Sequence, residues 1–396
     1  MKHNFDEVID RRGTNCVKYD FCQPIFGTDN LLPMWIADMD FRTPDFIFDA
    51  ICNRSAHPVL GYSRPPHDYF CVISGWLKKM HNWEVPIEWM GFLPGIVQGL
   101  AFAVQTFSEA GDEVIIQPPV YPPFTHVVEK NDRKLVYNPL KIVNGQFEMD
   151  FDDLERKITS RTKLLILCSP HNPGGKVWRK STLAQLAEIC AKHSIIVISD
   201  EIHADMVLPN QPAHTPFAKV SETAKNISVN FMAPSKLFNM PGLISSYYII
   251  PNAELREKFF RFLDKNDLVN GNVFAYEATK SGYLNGEEWR KQMLEYVQGN
   301  INYVVDFLAK NLPKIKPMIP EASFLIFLDC TELGLSPDEL NRFFVEKVKI
   351  GMNDGRMFGP GGDYFLRMNV GCPRVVIEEA LNRIKNQEPR AKIHSS

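Results

Sequence analysis

The chain has 396 residues, 45% of them hydrophobic, which is too long for one ordinary domain and ample for a buried core, so two domains are expected. Lys and Arg number 44 against 47 Asp and Glu, a formal charge of -3 with no basic run or stripe, which argues against a nucleic-acid partner. The 8 cysteines are scattered without a Cys-x-x-Cys pair or a His at ligand spacing, so no zinc or other metal site and no disulfide framework is expected.

The first dozen residues alternate charge with isolated apolar side chains and lack the apolar core of a signal peptide. No segment approaches the ~20 apolar residues of a membrane span. A cytoplasmic location without a membrane partner is the expectation. The first ~50 residues are rich in Pro and loop formers and are expected to join a C-terminal unit and the entrance to a site.

From about residue 90 to 250, short β-branched runs alternate with amphipathic stretches, the pattern of a mostly parallel sheet with helices on both faces. Strands are predicted at 113–117, 135–137, 164–168, 195–199, 227–231 and 245–250, and helices at 96–107, 152–158 and 181–192. Leu183, Leu186, Ala187 and Cys190 fall at i, i+3, i+4 and i+7, a buried stripe by spacing. After about 285 the texture changes: a long helix at 287–312, strands at 324–329 and 364–370 and a helix at 375–385 suggest a smaller α+β unit. The expected division is an N-terminal segment, 1–49, joining that unit; a large domain, 50–286; and a small domain, 287–396.

Three polar motifs follow three successive apolar runs, which suggests one shared site. Ser169–Gly175 contains Asn172-Pro173-Gly174-Gly175, a turn by composition. Its place beyond a buried strand promotes it, because ligands of open α/β sheets bind past the carboxyl ends of the strands. Asp200, in Asp-Glu-Ile-His, is costly to bury unless a cation or hydrogen bonds meet it; a helix cap or turn is the commoner use of such an aspartate. His203 closes the same motif. Lys236, in Ala-Pro-Ser-Lys, ends the third run, where a solvated cation has little reason to sit.

Other residues carry weaker signals. Ile96 and Val97 open a helix after Gly95, so free backbone N–H groups there suit an anion. Tyr121, among prolines, suits either stacking on a flat ring or packing in a loop. Arg367, inside an apolar strand, needs a partner: a substrate carboxylate in bidentate fashion, or an internal salt bridge. Tyr62 is ordinary by itself. Gly359-Pro360-Gly361-Gly362 lacks the spacing of a dinucleotide fingerprint, which disfavours an NAD enzyme.

The ordered set Asn172, Asp200 and Lys236, with Arg367 in a late strand, resembles the pyridoxal-phosphate enzymes of fold type I, the aspartate aminotransferase superfamily, with their Asn-Pro-x-Gly, Asp-Glu and Ser-Lys. Within it the chain is similar to the MalY/PatB branch of cystathionine β-lyases and C-S lyases. The most specific marker is Met34-Trp35-Ile36-Ala37-Asp38-Met39-Asp40-Phe41, and Asn-Val-Gly-Cys-Pro-Arg at 369–374 supports it. Aminotransferases proper usually carry Tyr where His203 stands and Arg where Ile244 stands.

The resemblance implies a large domain with a mostly parallel seven-stranded sheet flanked by helices, plus a smaller α+β domain. It implies pyridoxal 5'-phosphate held on Lys236 as a Schiff base, Asp200 on the pyridinium, Asn172 on the phenolic oxygen and Tyr121 on the ring, with His203 nearby. The phosphate falls to Ile96, Val97, Ser235 and a Tyr62 reaching across a homodimer. Arg367 and Ala37 take the substrate. Expected chemistry is β-elimination from cystathionine, cysteine or an S-substituted cysteine to thiol, pyruvate and ammonia. The alternatives are an aminotransferase, which needs the same residues, and a regulatory protein that keeps the cofactor without turnover.

Overall fold

The computed structural model describes residues 2–387; the last residues of the expected small domain, 388–396, lie outside them. Its centre is a sheet of seven strands: β1 (Met90–Leu93), β2 (Glu113–Ile116), β3 (Lys134–Tyr137), β4 (Thr162–Cys168), β5 (Ile196–Asp200), β6 (Ser228–Met232) and β7 (Ser246–Ile249). The spatial order is β1-β7-β6-β5-β4-β2-β3, with β7 antiparallel to both neighbours and the other pairings parallel. The sheet is mixed, and mostly parallel.

Its central strands are apolar on both faces because helices cover both. Alternate residues along a strand point to opposite sides. Val114, Ile116, Ile166 and Ile198 pack with Leu100, Val104 and Phe107 of the helix Ile96–Phe107. Ile115, Leu165, Leu167 and Val197 pack with Leu183, Leu186, Ala187 and Cys190 of the helix Lys180–Lys192. That stripe is buried, as its spacing predicts.

Besides several short helices, four long ones escaped the sequence reading: Asp45–Ser55, Tyr69–His81, Ala253–Lys265 and Val273–Asn285. In the last of these, buried residues fall on more than one face, among them Ala275, Tyr276, Ala278, Thr279 and Gly282, so it lacks the clean apolar stripe that periodicity detects.

A second, antiparallel sheet comprises β8 (Lys316–Met318), β9 (Leu325–Asp329), β10 (Asn353–Asp354) and β11 (Phe365–Asn369), in the order β8-β9-β11-β10. The helices Glu287–Asn311 and Arg374–Gln387 belong to the same part of the chain. The N-terminal segment docks here: Leu32 and Pro33 pair in parallel with Ile350 and Gly351, and Asn369 N–H donates to the Met34 carbonyl at 2.9 Å.

Gly175 joins the loop after β4 to this second unit. Its carbonyl accepts from the N–H groups of Glu321 and Ala322, both at 2.9 Å. Its φ is +64°, and an added Cβ would stand 2.3 Å from Pro320 Cβ. Gly175→Ala combines a left-handed backbone cost with a clash against backbone-anchored atoms, and is expected to destabilise the fold by about 3 kcal/mol. A shift of the urea midpoint at unchanged slope measures it.

Candidate active site

The carboxyl ends of β4, β5 and β6 lie side by side, and the three polar motifs emerge from them. A cavity of about 180 Å³ opens there. Ala37, Ile96, Val97, Tyr121, Asn172, Asp200, His203, Ser235 and Lys236 all line it. Residues separated by up to two hundred positions therefore meet because parallel strands all end on one side of the sheet.

Asp200 is the last residue of β5 and 3% exposed. One carboxylate oxygen accepts the Ile202 N–H at 3.1 Å, and no cation within salt-bridge distance faces it among the described residues. Burial raises its pKa to about 7, opposed by the Ile202 N–H and Lys236 and reinforced by Glu201. Glu201, by contrast, is satisfied by His214 at 2.8 Å, the Ser199 hydroxyl and the Phe217 N–H.

Lys236 sits in the turn after β6, closed by Phe238 N–H to the Pro234 carbonyl and Met240 N–H to the Ser235 carbonyl. Its Nζ donates to the Ala37 carbonyl at 2.7 Å. Burial lowers its pKa to about 8, with Asp38 and Asp200 pulling upward and Arg367 downward. His203 is held neutral: burial takes it down to about 3, helped by Lys236 and Arg367, and its Nδ1 has no hydrogen-bond partner.

Arg367 stands on β11, 4% exposed, behind Asn172. The internal salt bridge open at the sequence level is not formed among the described residues. Its guanidinium donates instead to Asn172 Oδ1 at 3.0 Å, the Trp35 carbonyl at 2.9 Å and Asn353 Oδ1 at 2.7 Å. Its Nε is buried without a partner, and the group lies 5.0 Å over the Phe358 ring. Burial brings the pKa down to about 10. Burial likewise raises the Tyr121 phenol to about 12, with Asp200 adding to the rise.

The helix Ile96–Phe107 points its first turn at the same cavity. Gly95 caps it without any side-chain hydrogen bond, so the N–H groups of Ile96 and Val97 have no intrahelical acceptor. Ile244 also lines the cavity, with φ at +52°, a strained conformation for a β-branched residue. Tyr62 is fully exposed and lines no part of the cavity within this chain.

Sequence reading missed the supports. Asn353 holds Arg367, yet nothing in its surroundings marks it. Asn369 Nδ2 donates to the Ile36 and Asp38 carbonyls at 2.5 and 2.6 Å, and Asn239 Nδ2 to the Met39 and Phe41 carbonyls, both at 2.8 Å. Asn369 opens the motif noted at 369–374 and Asn239 lies three residues past Lys236, and that proximity was the available signal.

Residues 88–384 match the family model described as aminotransferase class I and II. The chain is 43% identical to cystathionine beta-lyase PatB of Bacillus subtilis (strain 168) over 96% of its own length and 99% of that protein. It is 34% identical to protein MalY of Escherichia coli (strain K12) over 97% and 98% of the two chains. Its fold matches the pyridoxal 5'-phosphate-containing cystalysin of Treponema denticola with a TM-score of 0.94 at 31% identity, covering 98% of this chain and 99% of that one. With Asn172, Asp200, Lys236 and Arg367 all inside the matched span, and relatives alike from end to end, the chain belongs to the class I and II aminotransferase family.

Proposed function

We propose that this chain is a pyridoxal-phosphate-dependent C-S β-lyase that eliminates the thiol from cystathionine, cysteine or a related S-substituted cysteine, releasing pyruvate and ammonia. The observation that carries the reading is one cavity in which a carboxylate without a protein cation, Asp200, accompanies a lysine whose pKa is brought to about 8. Asp200 suits a protonated ring nitrogen, the cation it otherwise lacks. Lys236 would hold the aldehyde carbon, Asn172 the phenolic oxygen, and Tyr121 a ring face, with His203 beside them. The first-turn N–H groups at Ile96 and Val97, with Ser235, suit the phosphate.

Bound there, the cofactor supplies an electron sink for the pair left at the substrate Cα. The protein groups do the rest. Arg367, already oriented by three neutral acceptors, is free to take the substrate carboxylate as its anion. Lys236 Nζ, once released, accepts the Cα proton, and a pKa near 8 suits both taking and returning it. The Ala37 carbonyl, at 2.7 Å, holds that amine when it is free. The Cβ–S bond then breaks with its electron pair going to sulfur.

The same residues would serve transamination, but PatB, alike over nearly the whole chain, is a cystathionine beta-lyase. In this reading the protein works in the cytoplasm as a homodimer, with the exposed Tyr62 reaching the phosphate site of the other subunit. No helix among the described residues is long and apolar enough to cross a membrane.

Pyruvate released from cystathionine without any added keto acid supports the lyase; dependence on a keto acid would favour the transferase. Lys236→Ala is expected to lower pyruvate release by at least about a thousandfold and to abolish the visible absorption of the cofactor-loaded protein. Attachment of the cofactor to the cofactor-free protein requires a neutral amine. Its rate should therefore rise about tenfold per pH unit below 8 and level off above, as read by absorbance.

Asp200→Asn separates function from stability. The folded pKa of Asp200 is raised to about 7 from 3.8, so the folded chain binds the proton more tightly and loses stability as pH climbs between those values. The amide keeps an acceptor for the Ile202 N–H and removes the buried charge. The cofactor-free variant should melt several degrees higher than the parent at pH 8 and show little difference at pH 4, while pyruvate release falls by about a hundredfold or more.

A further inference from the structure

A second cavity, of about 690 Å³, adjoins the first, and Ala37, Lys236 and Pro241 line both. It runs between the N-terminal segment and the helix Asp45–Ser55, with apolar walls that include Val17, Ile47, Phe48, Ile51 and Leu243. Apart from Lys236, which holds the cofactor in the reading above, its charged residues are already matched. Arg11 bonds Asp38 at 2.6 Å and Asp40 at 2.7 Å; Lys18, behind the wall, bonds Asp40 at 2.7 Å; Arg42 bonds Glu7 at 2.7 Å. Three cations thus face three anions, and none of the six is left to attract a further ion.

The smaller cavity is filled by the cofactor in the reading above, on which this step rests. A group attached to the sulfur of a substrate whose Cα sits at Lys236 must extend elsewhere, and the larger cavity opens from that amine. We infer that this second cavity receives the sulfur substituent of the substrate and selects neutral or zwitterionic tails over net-anionic ones. Its apolar walls favour methylene groups removed from water. A net-anionic tail would lose hydration against ion pairs that are already complete, and gain no partner of its own. A zwitterionic tail carries its own balance, as the wall does.

Gly242 lines this cavity and not the smaller one, and a Cβ there would meet nothing within 4 Å. A side chain at that position therefore starts without a clash at its first carbon.

The test compares S-propylcysteine, with a neutral tail, with S-carboxymethylcysteine, of similar size and with an anionic tail, on the cofactor-loaded protein. Wild type is expected to show kcat/KM at least about tenfold higher for the propyl compound. Gly242→Trp should lower kcat/KM for cystathionine by about tenfold and leave cysteine within about twofold. Equal use of the two tails, or an equal loss on cystathionine and cysteine, overturns the assignment. Should no compound release pyruvate, the lyase reading fails by itself. Calorimetric dissociation constants for the same two tails then decide the cavity: tighter binding of the propyl compound upholds it, and equal or weaker binding overturns it.

Discussion

Desolvated charge met by neutral dipoles is the constraint on which this site depends. Asp200, Lys236 and Arg367 carry ionisable groups into one region, and burial pushes each toward its neutral form, to about 7, 8 and 10. The protein answers with the Ile202 N–H, the Ala37 carbonyl, and the Asn172, Asn353 and Trp35 oxygens rather than with countercharges. Dipoles hold a side chain in place without cancelling its charge, so the charge stays available to a ligand. A few residues away the opposite choice is made. Lys18 with Asp40, and His214 with Glu201, pair directly in the interior.

Those dipoles have to be placed from both parts of the chain. Parallel strands deliver Asn172, Asp200 and Lys236 to one edge, but Ala37 and Trp35 come from a segment with little regular structure. Side-chain amides hold that segment instead. Asn369, from the second sheet, grips the carbonyls of Ile36 and Asp38, while Asn239, three residues past Lys236, grips those of Met39 and Phe41. The same stretch carries Asp38 and Asp40, tied back by Arg11 and Lys18. A loop fixed at Ile36, Asp38, Met39, Asp40 and Phe41 positions the Ala37 carbonyl about as firmly as a strand would.

Legibility in the sequence followed the strength of the local pattern. Six of the seven strands of the main sheet were readable to within a residue or two because buried β-branched runs bounded by turn formers look like little else, whereas Met90–Leu93, with no β-branched residue, was not; the helix Lys180–Lys192 declared itself by its stripe. Helices such as Val273–Asn285, buried on several sides, offer no such contrast. The strand ends and their polar motifs were likewise visible, since charge after an apolar run is conspicuous. What gathers around them was not. Arg367 reaches Trp35 across 332 positions of sequence, and Asn353 is an unremarked residue of a two-residue strand. Contacts of that kind are created by tertiary packing and leave no periodic trace.

The titration order of the cavity narrows the traffic of protons in a lyase. Expulsion of a thiolate asks for a proton donor near sulfur once Cα has been deprotonated. His203, brought to about 3 by burial, is neutral throughout the working range and holds no proton to spare beyond its tautomer. The Tyr121 phenol, at about 12, keeps its O–H but yields it reluctantly to a thiolate of ordinary basicity. In the proposed reaction Asp200, near 7, is engaged with the ring nitrogen, while Lys236 lies near 8, where the ammonium formed on taking the Cα proton would be acid enough to give that proton to sulfur. It also touches both cavities, the one that would hold the ring and the one that would hold the departing tail. In the proposed lyase reaction a single amine at that junction would therefore serve as base toward carbon and acid toward sulfur, and the burial that lowers its pKa would make both roles accessible.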